Sequence, residues 1–310
     1  SFCSAGTAGN CLCRKSECHP CAFLQLSIYC EALEVTRQGF YKYLASKARP
    51  WKYEAIAKMI KEIIEEDMCN DCYGRERVYL ALKRKFPKDS VPSKRTCYKI
   101  MKILGLVHQK RRKPNGITKA DKAAMKSDDL LRRDFSALAP FQKVITDITE
   151  VKTRDGKLYI SGLFDCYNSE VLAITMDTNM QAELCSQMII NAKKAFPELR
   201  GAIAHSDRGT QYTSELYRRT LKQCGLVQSM NSAGGRCHDN ARCESMWARF
   251  KEELIYGRYK TEKMSIENVK QLVWRYFMSY WNNRRIFTRN GGLSPAEMRK
   301  KFFETQKLCG

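Results

Sequence analysis

Residues 202–214 read AIAHSDRGTQYTS, and the reading of this stretch decides the fold. A short apolar run ends abruptly in His205, Ser206 and Asp207, and a glycine and a polar stretch follow at once. So short a run, closed by a turn signal, predicts a buried strand. A strand that finishes on a bare carboxylate needs a reason, because a charge taken out of water is costly unless something compensates it. In open α/β sheets the functional crevice lies outside the carboxyl ends of the parallel strands. Asp207 stands at such an end.

The neighbouring segments supply the rest of the sheet. KVITDITEVK (143–152) predicts a strand from its β-branched residues, Asp155-Gly156 a tight turn, and KLYISGLFDCY (157–167) the returning strand of a hairpin. EVLAITM (170–176) gives a third strand, followed by a helix over 181–195, the strand ending at Asp207, a helix over 214–224 and a short strand LVQSM (226–230). Three antiparallel strands followed by strands alternating with helices predict a mixed α/β sheet, covered on both faces.

Along the first strand Val144, Thr146 and Ile148 point to one side, and Ile145, Asp147 and Thr149 to the other. If the first and fourth strands are neighbours, Asp147 and Asp207 lie side by side. Two such carboxylates repel and share a proton unless a divalent cation keeps both ionised. A third acid follows the loop NSAGGRCHDN (231–240), where a helix begins near Asp239 or Asn240. Met246, Trp247, Phe250 and Leu254 form its buried stripe, and Glu244 lies in its first turn or so. Lys251, seven residues later, returns to the face of Glu244, about 10 Å along the axis. Taken singly, each acid reads more readily as a cap or a surface charge, and Asp165, Asp177 and Asp239 compete with them. The joint pattern makes the case.

Composition points the same way. The 310 residues carry 55 Lys plus Arg against 33 Asp plus Glu, a net charge of +22. Such self-repulsion is relieved by a polyanion, and nucleic acid is the expected partner. No apolar run approaches the ~20 residues that span a bilayer. Of the 15 cysteines, Cys97, Cys166, Cys185 and Cys224 sit inside apolar patterns and read as small buried hydrophobes of a reducing compartment. Cys11, Cys13, Cys18, His19 and Cys21 crowd one short stretch, but no second ligand pair follows, nor does one follow Cys69 and Cys72, so zinc is not expected. The chain opens on Ser1 rather than Met, as a fragment or the downstream product of a fused or shifted frame does.

Before the sheet the pattern is helical. Two short helices around a turn near Thr36, a helix over 53–67, another over 75–86 and one capped by Ser93 and ended by Gly105 follow one another. Basic residues on the outer faces suit helix-turn-helix entry into a major groove, or else the solvated surface of a small bundle. HQKRRKP (108–114) follows, and its Lys110, Arg111 and Arg112 are placed to meet phosphates. After the sheet comes a helix over 264–283, then the basic, turn-rich NNRRIFTRNGGLSP (282–295), which reads as either an exposed tail or a DNA contact.

VITDITEV, HSDRGTQYTS, QSMNSAGGRCHDNARCESMWARFKEEL and YWNNRRIFTRNGGLSPAEM resemble, in that order, the DDE transposases of the insertion-sequence-three group. That family is related to retroviral integrases. The likeness runs from about residue 28 to 304. It implies a ribonuclease H-like mixed five-stranded sheet with flanking helices, preceded by an all-α helix-turn-helix-type region. The implied division is 1–21 unassigned, 22–114 helical and DNA-binding, 115–140 linker, 141–304 catalytic and 305–310 tail.

By the same resemblance the catalytic, metal-holding acids fall on Asp147, Asp207 and Glu244, and the family lysine on Lys251. The implied cofactor is a pair of Mg²⁺ or Mn²⁺ ions, and the implied reaction is DNA cleavage and strand transfer. Gln211 and Asn240 then position DNA or water, and His205 orients Asp207. Expected partners are the element ends and target DNA, further copies of the chain, and an upstream-frame helix-turn-helix protein, in the bacterial cytoplasm at the nucleoid and without a membrane. Thirty-six residues separate Asp207 from Glu244, one more than the family usually has, which the SAGGR loop can absorb. Lys143-Val144-Ile145 replaces the usual Trp before the TD pair, a change of packing rather than of chemistry. A nuclease of the same core that cuts without joining, and a DNA-binding remnant without catalysis, are the alternative readings.

Overall fold

The computed structural model describes residues 28, 30–48, 50–108, 128–132, 134–231 and 241–309. The chain divides into two compact units, Ser1–Ala55 and Ile56–Gly310. In the first, helix α1 (Arg37–Ala48) begins where Thr36 Oγ1 accepts the Gly39 N–H at 3.0 Å, satisfying a donor that the first turn leaves without a partner. From Ile56 onward the chain folds with the sheet.

Helix α2 (Glu54–Glu65) buries Ala57, Ile60 and Ile63, α3 (Arg75–Lys85) buries Val78, Ala81 and Leu82, and α4 (Lys94–Ile103) buries Cys97, Ile100 and Met101. Ser93 caps α4 by accepting the Thr96 N–H, and Gly105, at φ +68°, ends it as expected.

The sheet has five strands in the order β3-β2-β1-β4-β5. Strands β1 (Lys143–Thr153), β2 (Gly156–Asp165) and β3 (Val171–Asp177) run antiparallel. Strand β4 (Ile203–Ser206) joins the other edge of β1 in parallel, and β5 (Val227–Met230) joins β4 likewise. Helix α5 (Ala182–Ala195) leads into β4, and the one-turn α6 (Thr210–Thr213) with α7 (Glu215–Cys224) leads into β5. This is the ribonuclease H-like arrangement.

Both faces of the sheet are covered. On one, Val144 and Leu163 pack with Cys185, Met188, Tyr212, Tyr217 and Leu221 from α5, α6 and α7. On the other, Phe164 meets Trp247 of α8 (Ala241–Phe250) at 5.2 Å between ring centroids. Phe277 packs there from the wide π-helical turn Arg275–Trp281 that continues α9 (Ile266–Trp274). A second π-helical turn, Lys251–Ile255, continues α8 and buries three successive residues, Glu253, Leu254 and Ile255. Helix α10 (Pro295–Cys309) closes the described chain. Among the described residues no helix is long and apolar enough to cross a membrane.

A buried charge cluster helps to bind α3 to the rest. Glu253 accepts from Arg285 through both oxygens, at 2.8 and 2.5 Å, from Arg77 of α3 at 3.0 Å and from Tyr276 at 2.9 Å. Arg285 is 2% exposed and lies over the Trp281 and Phe287 rings. The Arg285 guanidinium holds the Glu253 carboxyl down to about 2 against the upward push of burial. The basic stretch 282–295 is thus no exposed tail at its centre: Arg285, Ile286, Phe287, Asn290 and Ser294 are buried. Cys97, Cys166 and Cys185 are buried free thiols, as their apolar settings predict, and Cys224 is half-buried.

Candidate active site

Register brings the two aspartates level. Strands β1 and β4 pair Lys143 with Ile203, Val144 with Ala204 and Ile145 with His205, and two residues further along each chain stand Asp147 and Asp207. Alternation sets the direction of each side chain. Thr146 turns its hydroxyl toward Met188 and Tyr212 on the α5 side, so Asp147 faces α8. Its carboxyl is pushed up to about 7, first by burial and then by the Asp207 charge. The charge of Glu244 adds to the rise, while the Ile148 N–H and the Trp247 indole oppose it.

Asp207 follows the last residue of β4 and accepts the Gly209 N–H on Oδ1 at 2.9 Å. A Cβ on Gly209 would lie 3.1 Å from that oxygen and 3.0 Å from Gln211 Oε1, so the close approach favours a residue without a side chain. Burial raises the Asp207 carboxyl, and the Gly209 N–H and His205 oppose the rise. His205 is buried, with Nδ1 2.9 Å from Ser229 Oγ and Nε2 2.9 Å from Asn231 Oδ1. Gln211 lies beside Asp207 and donates to the Met180 carbonyl at 3.1 Å.

Glu244 is exposed, in the first turn of α8. Two residues earlier Arg242 donates to the carbonyls of Phe135 and Cys166, each at 2.6 Å, which ties the start of α8 to the end of β2. Lys251 is half-buried where α8 passes into its π-helical turn. Burial lowers its ammonium, and Glu150 and Asp147 act in the opposite sense. Asn240, Lys110, Arg111 and Arg112 lie outside the described residues, as do the first 21 residues and most of the expected linker.

The chemistry of this donor set suits a hard divalent cation. All three acids offer carboxylate oxygens, the ligands preferred by Mg²⁺ and Mn²⁺, and Asp147 and Asp207 compete for ionisation as like charges do. The set is open rather than a closed cage. Asp147 feels both other acids, yet among the described residues no three His, Cys, Asp or Glu side chains form a group that could hold an ion.

Three contributions escape sequence reasoning. Glu253 and Arg285 look like solvated charges, and only the packing of distant segments reveals their pairing. Arg242 sits near a helix start, where a cation opposes the macrodipole, and its carbonyl partners are 76 and 107 residues away. Trp247 reads correctly as core, but nothing in its spacing tells that it bears on the Asp147 carboxyl.

Comparison with known proteins identifies the family. The integrase core domain family matches residues 137–235. A putative transposase, InsK, of insertion sequence element IS150 from Escherichia coli K12 is 30% identical over 281 residues, covering 91% of this chain and 95% of the relative. Transposase InsF of insertion sequence IS3A, from the same organism, is 29% identical over 282 residues, covering 90% and 96%. Among solved structures, a simian T-cell lymphotropic virus intasome in complex with a PP2A regulatory subunit, B56 gamma, aligns at a TM-score of 0.45 and 11% identity, over 73% of this chain and 74% of that one. With a relative of 30% identity aligned over nearly its whole length, the chain belongs to the insertion-sequence-three family of transposases.

Proposed function

We propose that this transposase cuts and joins DNA by metal-dependent phosphoryl transfer, with Asp147, Asp207 and Glu244 as the metal-holding acids. One observation carries the reading. Asp147, within β1, and Asp207, just past the end of β4, stand level on neighbouring parallel strands, and the charges of Asp207 and Glu244 both bear on the half-buried carboxyl of Asp147. Mg²⁺ or Mn²⁺, as a pair when bound, supplies the Lewis acidity that activates the attacking hydroxyl and steadies the departing 3′ oxygen.

The protein's own part is placement. Asp147 and Asp207 fix the ligand oxygens on rigid strands, and Glu244 brings the third from α8. Lys251 holds a phosphate near the terminal nucleotides, while Gln211 and Asn240 position DNA or water. In cleavage, water forms the new bond to phosphorus and the 3′ oxygen leaves as a hydroxyl. In strand transfer that 3′ hydroxyl attacks a target phosphodiester, one bond forming as one breaks. No covalent intermediate with the protein is needed.

DNA contact extends to the front helices. Arg75, Lys83, Lys94, Arg95, Lys99 and Lys102 are all exposed on α3 and α4. Arg75 and Lys102 lie over the Tyr98 ring, and Lys83 and Lys94 over the Tyr79 ring. Cations interleaved with aromatic rings suit a phosphate backbone. Further copies of the chain assemble on the element ends.

Incubation with labelled duplexes carrying the ends of its own element, a plasmid target and Mg²⁺ tests the reading. It predicts nicked ends and label joined to the plasmid. Nicking without joining would point to a plain nuclease. Binding with neither product would leave a DNA-binding remnant.

A further inference from the structure

Trp247 lies one helical turn beyond Glu244. Its ring is wedged at 5.2 Å from Phe164, 5.7 Å from Phe277 and 6.0 Å from Phe250, centroid to centroid, each in an edge-to-face contact. The space for that ring comes from Gly162, the residue directly opposite Asp147 in the β1–β2 ladder. A Cβ on Gly162 would lie 3.1 Å from Trp247 Cη2 and 2.9 Å from Phe164 Cζ, too close for any real side chain. The missing side chain across from Asp147 is therefore replaced by an indole arriving from another element. Trp247 Nε1 is buried and makes no hydrogen bond, and the indole is near enough to the Asp147 carboxyl to oppose its rise. An N–H sealed from water and left unpaired is costly, and the nearby carboxylate is the acceptor that suits it.

We propose that Trp247 is a positioning residue for Asp147: its indole N–H holds one carboxylate oxygen and leaves the other for the cation, while the same side chain pins the helix of Glu244 to the strand of Asp147. An indole only donates, so it favours the ionised carboxylate that a cation requires. The inference rests on the reading of Asp147 as a cation ligand.

Mn²⁺ binding to the full chain, followed through the electron-spin signal of the free ion, tests it alongside urea denaturation. Trp247→Phe keeps an aromatic ring in the wedge and removes the N–H together with the second ring, a loss of packing that the urea midpoint registers separately. Gly162→Ala keeps the indole and displaces it. Both variants should bind Mn²⁺ about tenfold more weakly, the lower end of what loss of an outer partner costs a metal site. The Mn²⁺ needed for half-maximal cleavage should rise by the same factor, with metal-free DNA binding unchanged. Asp147→Asn serves as the reference and should lose Mn²⁺ binding outright. Native Mn²⁺ affinity in folded Trp247→Phe, with binding lost in Asp147→Asn, would overturn the role of Trp247 alone. Native affinity in Asp147→Asn would overturn the reading beneath it, and this inference with it.

Discussion

Asp147 is the residue on which the proposed chemistry turns, and its environment makes a measurable demand. Its carboxyl is pushed from the ordinary aspartate range to about 7 by burial and by Asp207. A group raised in the fold favours the fold while protonated. That contribution is complete below the unfolded value near 4 and is lost as pH climbs through 7. Without divalent cations, urea midpoints of the native chain should therefore fall between pH 5 and 8, with a slope from this group of up to about 1.4 kcal/mol per pH unit. Asp147→Asn should flatten that fall and be the more stable protein at pH 8. Equal slopes in the two proteins would mean that Asp147 is not held as described. Glu253 is the opposite case: it is fully buried, but Arg285 and Arg77 keep it ionised, so its charge serves cohesion rather than chemistry.

At the scale of elements, the strands were legible in the sequence and the helix contacts were not. Period-two alternation in 143–152 separates Thr146 from Asp147, and the apolar run before Asp207 marks a strand end, so the two aspartates are readable as neighbours once the strands pair. Two π-helical turns, at Lys251–Ile255 and Arg275–Trp281, shift the phase of their helices and bury side chains that a 3.6-residue repeat places elsewhere. No local pattern announces such a shift, which is why Glu253 is invisible as a buried group. The front helices pose a similar problem. Their apolar stripes predict α2, α3 and α4 well, and α3 and α4 pack on each other, but the ion-pair partner of Arg77 on α3, Glu253, comes from far along the chain. The exposed face that remains makes its own prediction. Arg95→Glu with Lys99→Glu should weaken metal-free duplex binding across sequences and reduce the salt slope by about 2, one per lost phosphate contact. An unchanged slope would assign α4 a purely structural role.

Across the whole molecule, a ribonuclease H-like sheet sets Asp147 and Asp207 level on neighbouring strands while a buried charge cluster ties α3 to the chain beyond α8. The arrangement separates two tasks. In the proposed reading, basic, exposed helices hold DNA, and β1, the end of β4 and the first turn of α8 hold the oxygens that a divalent cation needs. Because the tasks are separate, removing one carboxylate should stop the chemistry and spare the binding. Cleavage of an element-end duplex in Mg²⁺ by Asp147→Asn, Asp207→Asn and Glu244→Gln, with gel shifts in EDTA alongside, measures this directly. All three variants should lose cleavage by about a thousandfold or more and keep end binding close to native. Native cleavage by any one of them would contradict the account.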